Sequence, residues 1–191
     1  YLGAVPMKDA EFSGELETLL SWADETARLQ VMANADTPDD AEAAVKYGAQ
    51  GIGLCRTERM FNATDRLPIV VEMILAEDAG ARQAALDKLL PIQRSDFKGM
   101  LKAMRGKPVT IRLLDPPLHE FVPHEDEQIR ELADSLGVAE DVVRARVAQL
   151  GELNPMLGHR GCRLGVSYPE VTRMQARAIL EAAAELRQEG V

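Results

Sequence analysis

Short apolar runs carrying glycine or β-branched residues recur between longer stretches with helical spacing, and this alternation constrains the chain more than any other feature. Gln30-Val31-Met32-Ala33-Asn34 is the first such run. In the segment Asp36-Thr37-Pro38-Asp39-Asp40 that follows, Thr37 can cap a helix, Pro38 suits its first position and the acids favour its positive end. That helix should reach about Tyr47 and stop at Gly48. Gly51-Ile52-Gly53-Leu54-Cys55 is a second run, apolar throughout, as expected of a strand buried on both faces. Residues 30–55 therefore form one βαβ unit, with a right-handed crossover.

Helical spacing over 67–76, 79–90 and 95–104, the last two interrupted by Pro91, separates that unit from a third strand over 109–115 that ends at Pro116-Pro117. Helices near 125–136 and 139–150 lead to Gly161-Cys162-Arg163-Leu164-Gly165, a short fourth strand. The last helix starts at Ser167 or Pro169 and runs to about Gln188, with Val171, Met174, Ala178, Ala182 and Leu186 on one side. Ahead of the strands, Phe12, Leu16, Leu19, Leu20, Ala23 and Ala27 space a lead-in helix that Asp9 or Ser13 can cap. Four strands, each followed by helix, predict the α/β class with a parallel sheet, either doubly wound or part of a (β/α)8 barrel.

Charge narrows the partners. The 191 residues carry 22 basic and 31 acidic side chains, a formal net charge of −9, so nucleic acid and anionic membrane surfaces are repelled unless a local cationic pocket intervenes. No apolar run approaches the roughly 20 residues of a membrane span. The chain starts Tyr-Leu-Gly-Ala-Val-Pro, without an initiator Met or a signal-peptide layout, and is expected to be a segment of something longer. Its two cysteines, Cys55 and Cys162, lie in apolar runs far apart and predict reduced thiols in the cytoplasm.

Chemistry is concentrated at strand ends. Arg56 ends the second strand and Arg112 lies near the end of the third, at the edge where α/β folds place ligands. Arg160 and Arg163 repeat the theme around Gly161-Cys162. A guanidinium fork matches carboxylate or phosphate oxygens in pairs, so this cationic mouth predicts a small anion carrying one or both groups. The competing expectation is structural, with these arginines bridged to Asp36, Glu58 and Asp115. His119-Glu120 with His124-Glu125 has the wrong spacing for a metalloprotease helix, and Pro123 interrupts it. Gly51-x-Gly53 follows a helix rather than opening one, which favours close helix packing over dinucleotide binding. The apolar setting of Cys55 favours a buried, inert thiol.

At Gly51-Ile-Gly-Leu-Cys-Arg-Thr-Glu-Arg-Met-Phe61 the chain resembles the phosphoenolpyruvate-utilising enzymes, and within them the pyruvate phosphate dikinases. Arg112-Leu-Leu-Asp-Pro-Pro-Leu-His-Glu-Phe121 and Asn154-Pro-Met-Leu-Gly-His-Arg-Gly-Cys-Arg-Leu164 are similar to the same family's signatures, and Ala33-Asn-Ala-Asp-Thr-Pro38 and Tyr168-Pro-Glu170 fall in matching places. Phosphoenolpyruvate synthase and phosphotransferase enzyme I share the Gly-Ile-Gly-Leu-x-Arg core, but the Asp-Pro-Pro-Leu-His-Glu-Phe run is similar to the dikinases alone. Arg59 stands where that family often has His.

The resemblance implies residues 1–29 as linker and lead-in helix. It implies 30–191 as the first half of a (β/α)8 TIM-type barrel, with extra helices between strands 2 and 3 and between strands 3 and 4. It implies a barrel that moves a phosphoryl group between pyruvate and a phosphohistidine domain of the same parent chain. Arg56 and Arg112 would hold the transferring group, with Asp115, His159 and Arg160 as further substrate contacts. Mg²⁺ and a monovalent cation would serve the whole enzyme, with the Mg²⁺ ligands beyond residue 191 and none in this chain. The open edges of half a barrel predict either a homo-oligomer or helices packed across the opening. A non-catalytic pyruvate-binding or dimerisation module is the alternative of another class.

Overall fold

The computed structural model describes residues 13–191 apart from 62, 64, 116, 117, 124, 152 and 153, so Asp9, Phe12, Pro116, Pro117 and His124 lie outside the described residues. The described residues divide between Val31 and Met32 into two units. In the first, helix α1 (Gly14–Thr26) begins at Ser13, whose hydroxyl accepts the N–H of Leu16 at 3.2 Å, as one of the two expected caps. Its side chains Leu16, Leu19, Leu20 and Trp22 are exposed.

The second unit opens with β1 (Met32–Asn34) and α2 (Pro38–Lys46). Thr37 caps α2 through its hydroxyl, which accepts the N–H of Asp40 at 3.1 Å, while Pro38 occupies the first turn. Strand β2 (Gly51–Arg56) returns parallel to β1. Helices α3 (Thr57–Phe61), α4 (Leu67–Leu75) and α5 (Ala79–Ala103) lead to β3 (Val109–Arg112), which pairs parallel with β2, giving the order β1-β2-β3. Helices α6 (Asp126–Leu136), α7 (Glu140–Leu150), α8 (Gly161–Ser167) and α9 (Pro169–Gln188) follow. None of the described helices is long and apolar enough to cross a membrane.

Two cores hold these elements. One sets Ala35, Ile52 and Cys55 of the sheet region against Phe97 and Met100 of α5 and Ala178 and Ala182 of α9. The other joins α4, the start of α5, α6, α7, α8 and the start of α9 around Phe61, Val70, Leu86, Leu89, Ile129 and Met174. The α9 residues expected on one side, Val171, Met174, Ala178, Ala182 and Leu186, are all buried.

Among the described residues of this unit the helices cover one face of the sheet, which corrects the expectation that β2 is buried on both. Between Ile52 and Cys55 the register slips against β3, so an extra residue of β2 lets both side chains reach the helix side. On the other face Gly53 is exposed and Met32 is 39% exposed. Gly51 and Gly53 also face Met32 of the neighbouring strand rather than a helix: a Cβ at Gly51 would sit 2.5 Å from the Met32 sulfur.

The expected fourth strand is absent among the described residues, because 161–167 is helix α8. Only Leu164 of that run is buried, where a strand in a sheet would bury alternate residues, and a short apolar run does not distinguish the two by periodicity. Pro91 does not end a helix either; α5 is continuous through it. The ring sits on the exposed side, while Leu86 and Leu89 before it and Gln93, Phe97 and Met100 after it are buried along the packed side. Burial on both flanks offsets the lost backbone hydrogen bond.

Pro91→Ala restores that bond without touching the packed side. We expect it to raise unfolding stability by about 1–3 kcal/mol in urea titration, short of the full helix penalty of proline because the unfolded chain also gains freedom. A lowered midpoint would show that the packing of α5 requires its proline.

Candidate functional site

Strands β2 and β3 end together. Arg56 and Arg112, the last residue of each, are register partners, which sets their backbones about 4.8 Å apart at the C-terminal edge of the parallel sheet. Beyond this point the two chains diverge, β2 into α3 and β3 into the loop at 113–115, so the arginines mark the last rung of the ladder.

Each guanidinium is caged by carboxylate. Asp36, two residues past β1 and 6% exposed, accepts the backbone N–H of Arg56 at 2.7 Å through Oδ1, and Nη2 and Nε at 2.5 and 3.0 Å through Oδ2. Arg59 Nε lies 3.4 Å from the same oxygen. Burial pushes the Asp36 carboxyl up, but the Arg56 hydrogen bonds and charge outweigh it and hold Asp36 below the usual carboxylate range. Arg112 donates through Nη2 to Glu58 of α3, and its Nη1 lies 3.6 Å from Asp115 Oδ2. Arg160, just ahead of α8, donates to Asp115 from Nη2 at 3.0 Å and from Nε at 3.4 Å.

The bridges to Asp36, Glu58 and Asp115 that composed the structural expectation are thus all present. Still, in a chain whose net charge is −9, the guanidiniums of Arg56, Arg59, Arg112 and Arg160 are gathered at one edge, around Asp36, Glu58 and Asp115. The Nε of Arg112 is buried without an acceptor, and Oε2 of Glu58 is buried without a donor. A cavity of about 540 Å³ opens beside the cluster, lined by Arg112, Asp115, Gly161, Thr172 and Gln175 among others.

Of the residues singled out from sequence, Arg56, Arg112, Asp115 and Arg160 come together at this edge. His159 does not join them: its ring packs edge-on against Tyr168 with centroids 5.1 Å apart, in a second cavity lined by Arg82 and Glu170. Arg163 turns away, donating to the backbone carbonyls of Gly158 at 2.7 Å and Met156 at 3.3 Å. Cys55 is buried under the sheet; burial, with Asp36 and Glu58 adding to it, pushes its thiol up to about 12 and keeps it protonated, whereas Cys162 on α8 is exposed. Among the described residues no cluster of His, Cys, Asp or Glu could hold a metal ion. Gln175, which ties the two strand ends together through Leu114 and Thr57, belongs to no motif, and Thr57 lies within the Gly51–Phe61 run without being singled out there; the signal for Gln175 is an amide inside the buried stripe of α9.

Comparison with known proteins agrees with the motifs. Residues 10–190 match the family model of the PEP-utilising enzyme, PEP-binding domain. The chain is 58% identical over 193 aligned positions to pyruvate, phosphate dikinase 1, chloroplastic, of Oryza sativa subsp. japonica, covering all of this chain and 20% of that protein. It is 52% identical over 189 positions to the pyruvate, phosphate dikinase of Clostridium symbiosum, covering 99% of this chain and 22% of the relative. For the Rhizobium meliloti (strain 1021) enzyme of the same name the identity is 57% over 183 positions, covering 96% and 20%. The chain spans about a fifth of the length of the curated relatives it matches.

Gly161 is where this edge tolerates least. Its φ is +55°, and a Cβ there would lie 2.7 Å from Asp115 Oδ1, the oxygen that faces Arg160 Nε. Gly161→Ala should lower unfolding stability by about 1–2 kcal/mol, the cost of a left-handed residue carrying a side chain. Urea titration measures it. An unchanged midpoint would mean that the turn at 160–161 relaxes freely and does not fix Asp115.

Proposed function

Because the chain belongs to the PEP-utilising enzymes, as their PEP-binding domain, we propose that it is the first half of the (β/α)8 barrel of a pyruvate, phosphate dikinase, spanning 30–191 and preceded by a linker helix. In this reading the parent converts ATP, phosphate and pyruvate to AMP, diphosphate and phosphoenolpyruvate. The step assigned to this domain moves a phosphoryl group from a phosphohistidine elsewhere in the parent chain to pyruvate. The N–P bond breaks, the enolate oxygen of pyruvate forms the new O–P bond, and the methyl proton that pyruvate loses passes to a general base.

The observation that carries this reading is the in-register pair Arg56 and Arg112 at the sheet edge. Negative charge in phosphoryl transfer is spread over the equatorial oxygens, so catalysis rests on fixed donors aimed at them. The carboxylates support that role rather than compete with it. Asp36 uses the backbone and side chain of Arg56 together, and Glu58 and Asp115 flank Arg112, so both forks are oriented before substrate arrives. The unsatisfied Nε of Arg112 and the cavity beside it leave room for an incoming anion. We assign Asp115 and Arg160 to the substrate edge, and His159 to support of the 156–160 loop through Tyr168.

For the Mg²⁺ that the family resemblance implies, the described residues offer no ligand set, since Asp36, Glu58 and Asp115 are each engaged by arginine.

In the full-length enzyme, Arg56→Ala or Arg112→Ala should each slow formation of phosphoenolpyruvate by about a hundredfold while phosphorylation of the histidine by ATP continues. Lysine at either position should rescue little, because it offers no paired fork. The two half-reactions, followed separately by radiolabel transfer, check this. Wild-type rates in either alanine variant would return these arginines to a purely structural role.

A further inference from the structure

Gln175 is fully buried on α9, in a stripe otherwise made of Val171, Met174, Ala178 and Ala182. Its Oε1 accepts the backbone N–H of Leu114 at 2.8 Å, and its Nε2 donates to Thr57 Oγ1 and to Gln93 Oε1, both at 3.1 Å. Thr57 directly follows Arg56, and Leu114 lies two residues beyond Arg112. A single amide thus spans the gap between the two chains at the point where their own ladder stops.

Backbone hydrogen bonds between β2 and β3 fix the arginines only up to the last rung, and past it nothing in the sheet sets the separation of the chains. Gln93, the third partner, anchors the amide to α5 and in turn donates to Asp96 at 3.4 Å and to the Met60 sulfur at 3.6 Å. Asp96 is itself held by both terminal nitrogens of Arg66, at 2.5 and 2.9 Å. Stability alone would favour an apolar residue at 175, since a buried amide must satisfy its polar atoms merely to break even. What the amide adds is a unique spacing, because its donors and acceptor can be met in one arrangement only.

We propose that Gln175 is a positioning residue that sets the distance between Arg56 and Arg112 by holding Thr57 and Leu114 to α9. The inference rests on the reading of those arginines as the phosphoryl-binding pair. Gln175 borders the cavity beside Arg112, but both ends of its amide are taken by Leu114, Thr57 and Gln93, so it acts through the strand ends, and misplacement of an oriented group by about an ångström is enough to slow a reaction strongly.

The test uses the full-length enzyme with Gln175→Met, which fills the same space without the amide, and Thr57→Val, which removes only the hydroxyl. Both should lower kcat for phosphoenolpyruvate formation by about tenfold or more, with KM for pyruvate within about threefold of wild type and with ATP-driven histidine phosphorylation unchanged. Thr57→Ser, which keeps the hydroxyl, should recover at least half of the lost rate. Wild-type kcat in a folded Gln175→Met or Thr57→Val enzyme overturns the proposal. So does a rise in KM alone, and so does a failure of both variants to fold, which is how a merely structural network behaves. Arg56→Ala measured in parallel separates the two levels: if it is inactive while the Gln175 and Thr57 variants are normal, only the positioning role falls, and if it is active, the assignment of the arginines falls first.

Discussion

A guanidinium at the end of a parallel strand needs an anion, and the demands of Arg56 and Arg112 organise the edge of this sheet. Asp36 answers the first from the end of β1, taking the Arg56 backbone N–H as well as its side chain. One carboxylate therefore closes the β1–β2 junction and aims a fork at once. Glu58 and Asp115 do the same for Arg112 from opposite sides, one on α3 and one in the loop after β3, and Asp115 passes the constraint to Arg160 ahead of α8. Arg56 and Arg160 are in turn held firmly protonated, chiefly by their bonds to Asp36 and Asp115. On the proposed reading, a structural bridge and a preorganised anion site are the same set of contacts.

The helices serve that edge. Helix α9 packs along α5 over most of its length, its outer faces joined by Arg94 with Glu181 and by Lys98 with Glu185 and Glu189. These exposed pairs contribute little individually. The apolar seam beneath them, from Phe97 and Met100 to Ala178 and Ala182, gives the two helices a fixed mutual register. Gln93 and Gln175 are the polar interruptions of that seam, and they meet each other. The scaffold is thus tied to the strand ends by directed bonds where the rest of its contact is non-directional packing.

Much of this was legible in the sequence, for physical reasons that also mark the limit. Thr37-Pro38-Asp39-Asp40 announced α2 because capping is local chemistry, and Arg56 and Arg112 announced the edge because a charge that closes an apolar run is costly to bury unless an anion meets it. Gly161 to Gly165 misled because a short apolar run carries no period; the turn at Gly161 and the single buried Leu164 make it a helix. Pro91 misled because its effect depends on which side of the helix faces solvent. The slip between Ile52 and Cys55 depends on pairing with β3, more than fifty residues away, and the partners of Gln175 come from three other elements. No local pattern encodes either.

On the proposed reading, two arginines at adjacent strand ends, spaced by the sheet and aimed by carboxylates, receive the transferring phosphoryl group. The most direct test is a crystal structure of the full-length enzyme with phosphoenolpyruvate bound. The phosphoryl oxygens are expected at the C-terminal edge of the sheet, with nitrogens of both Arg56 and Arg112 about 2.7–3.0 Å from them and Asp36 still on Arg56. Phosphoenolpyruvate bound elsewhere, or at this edge with either guanidinium turned away from the phosphoryl group, would contradict it.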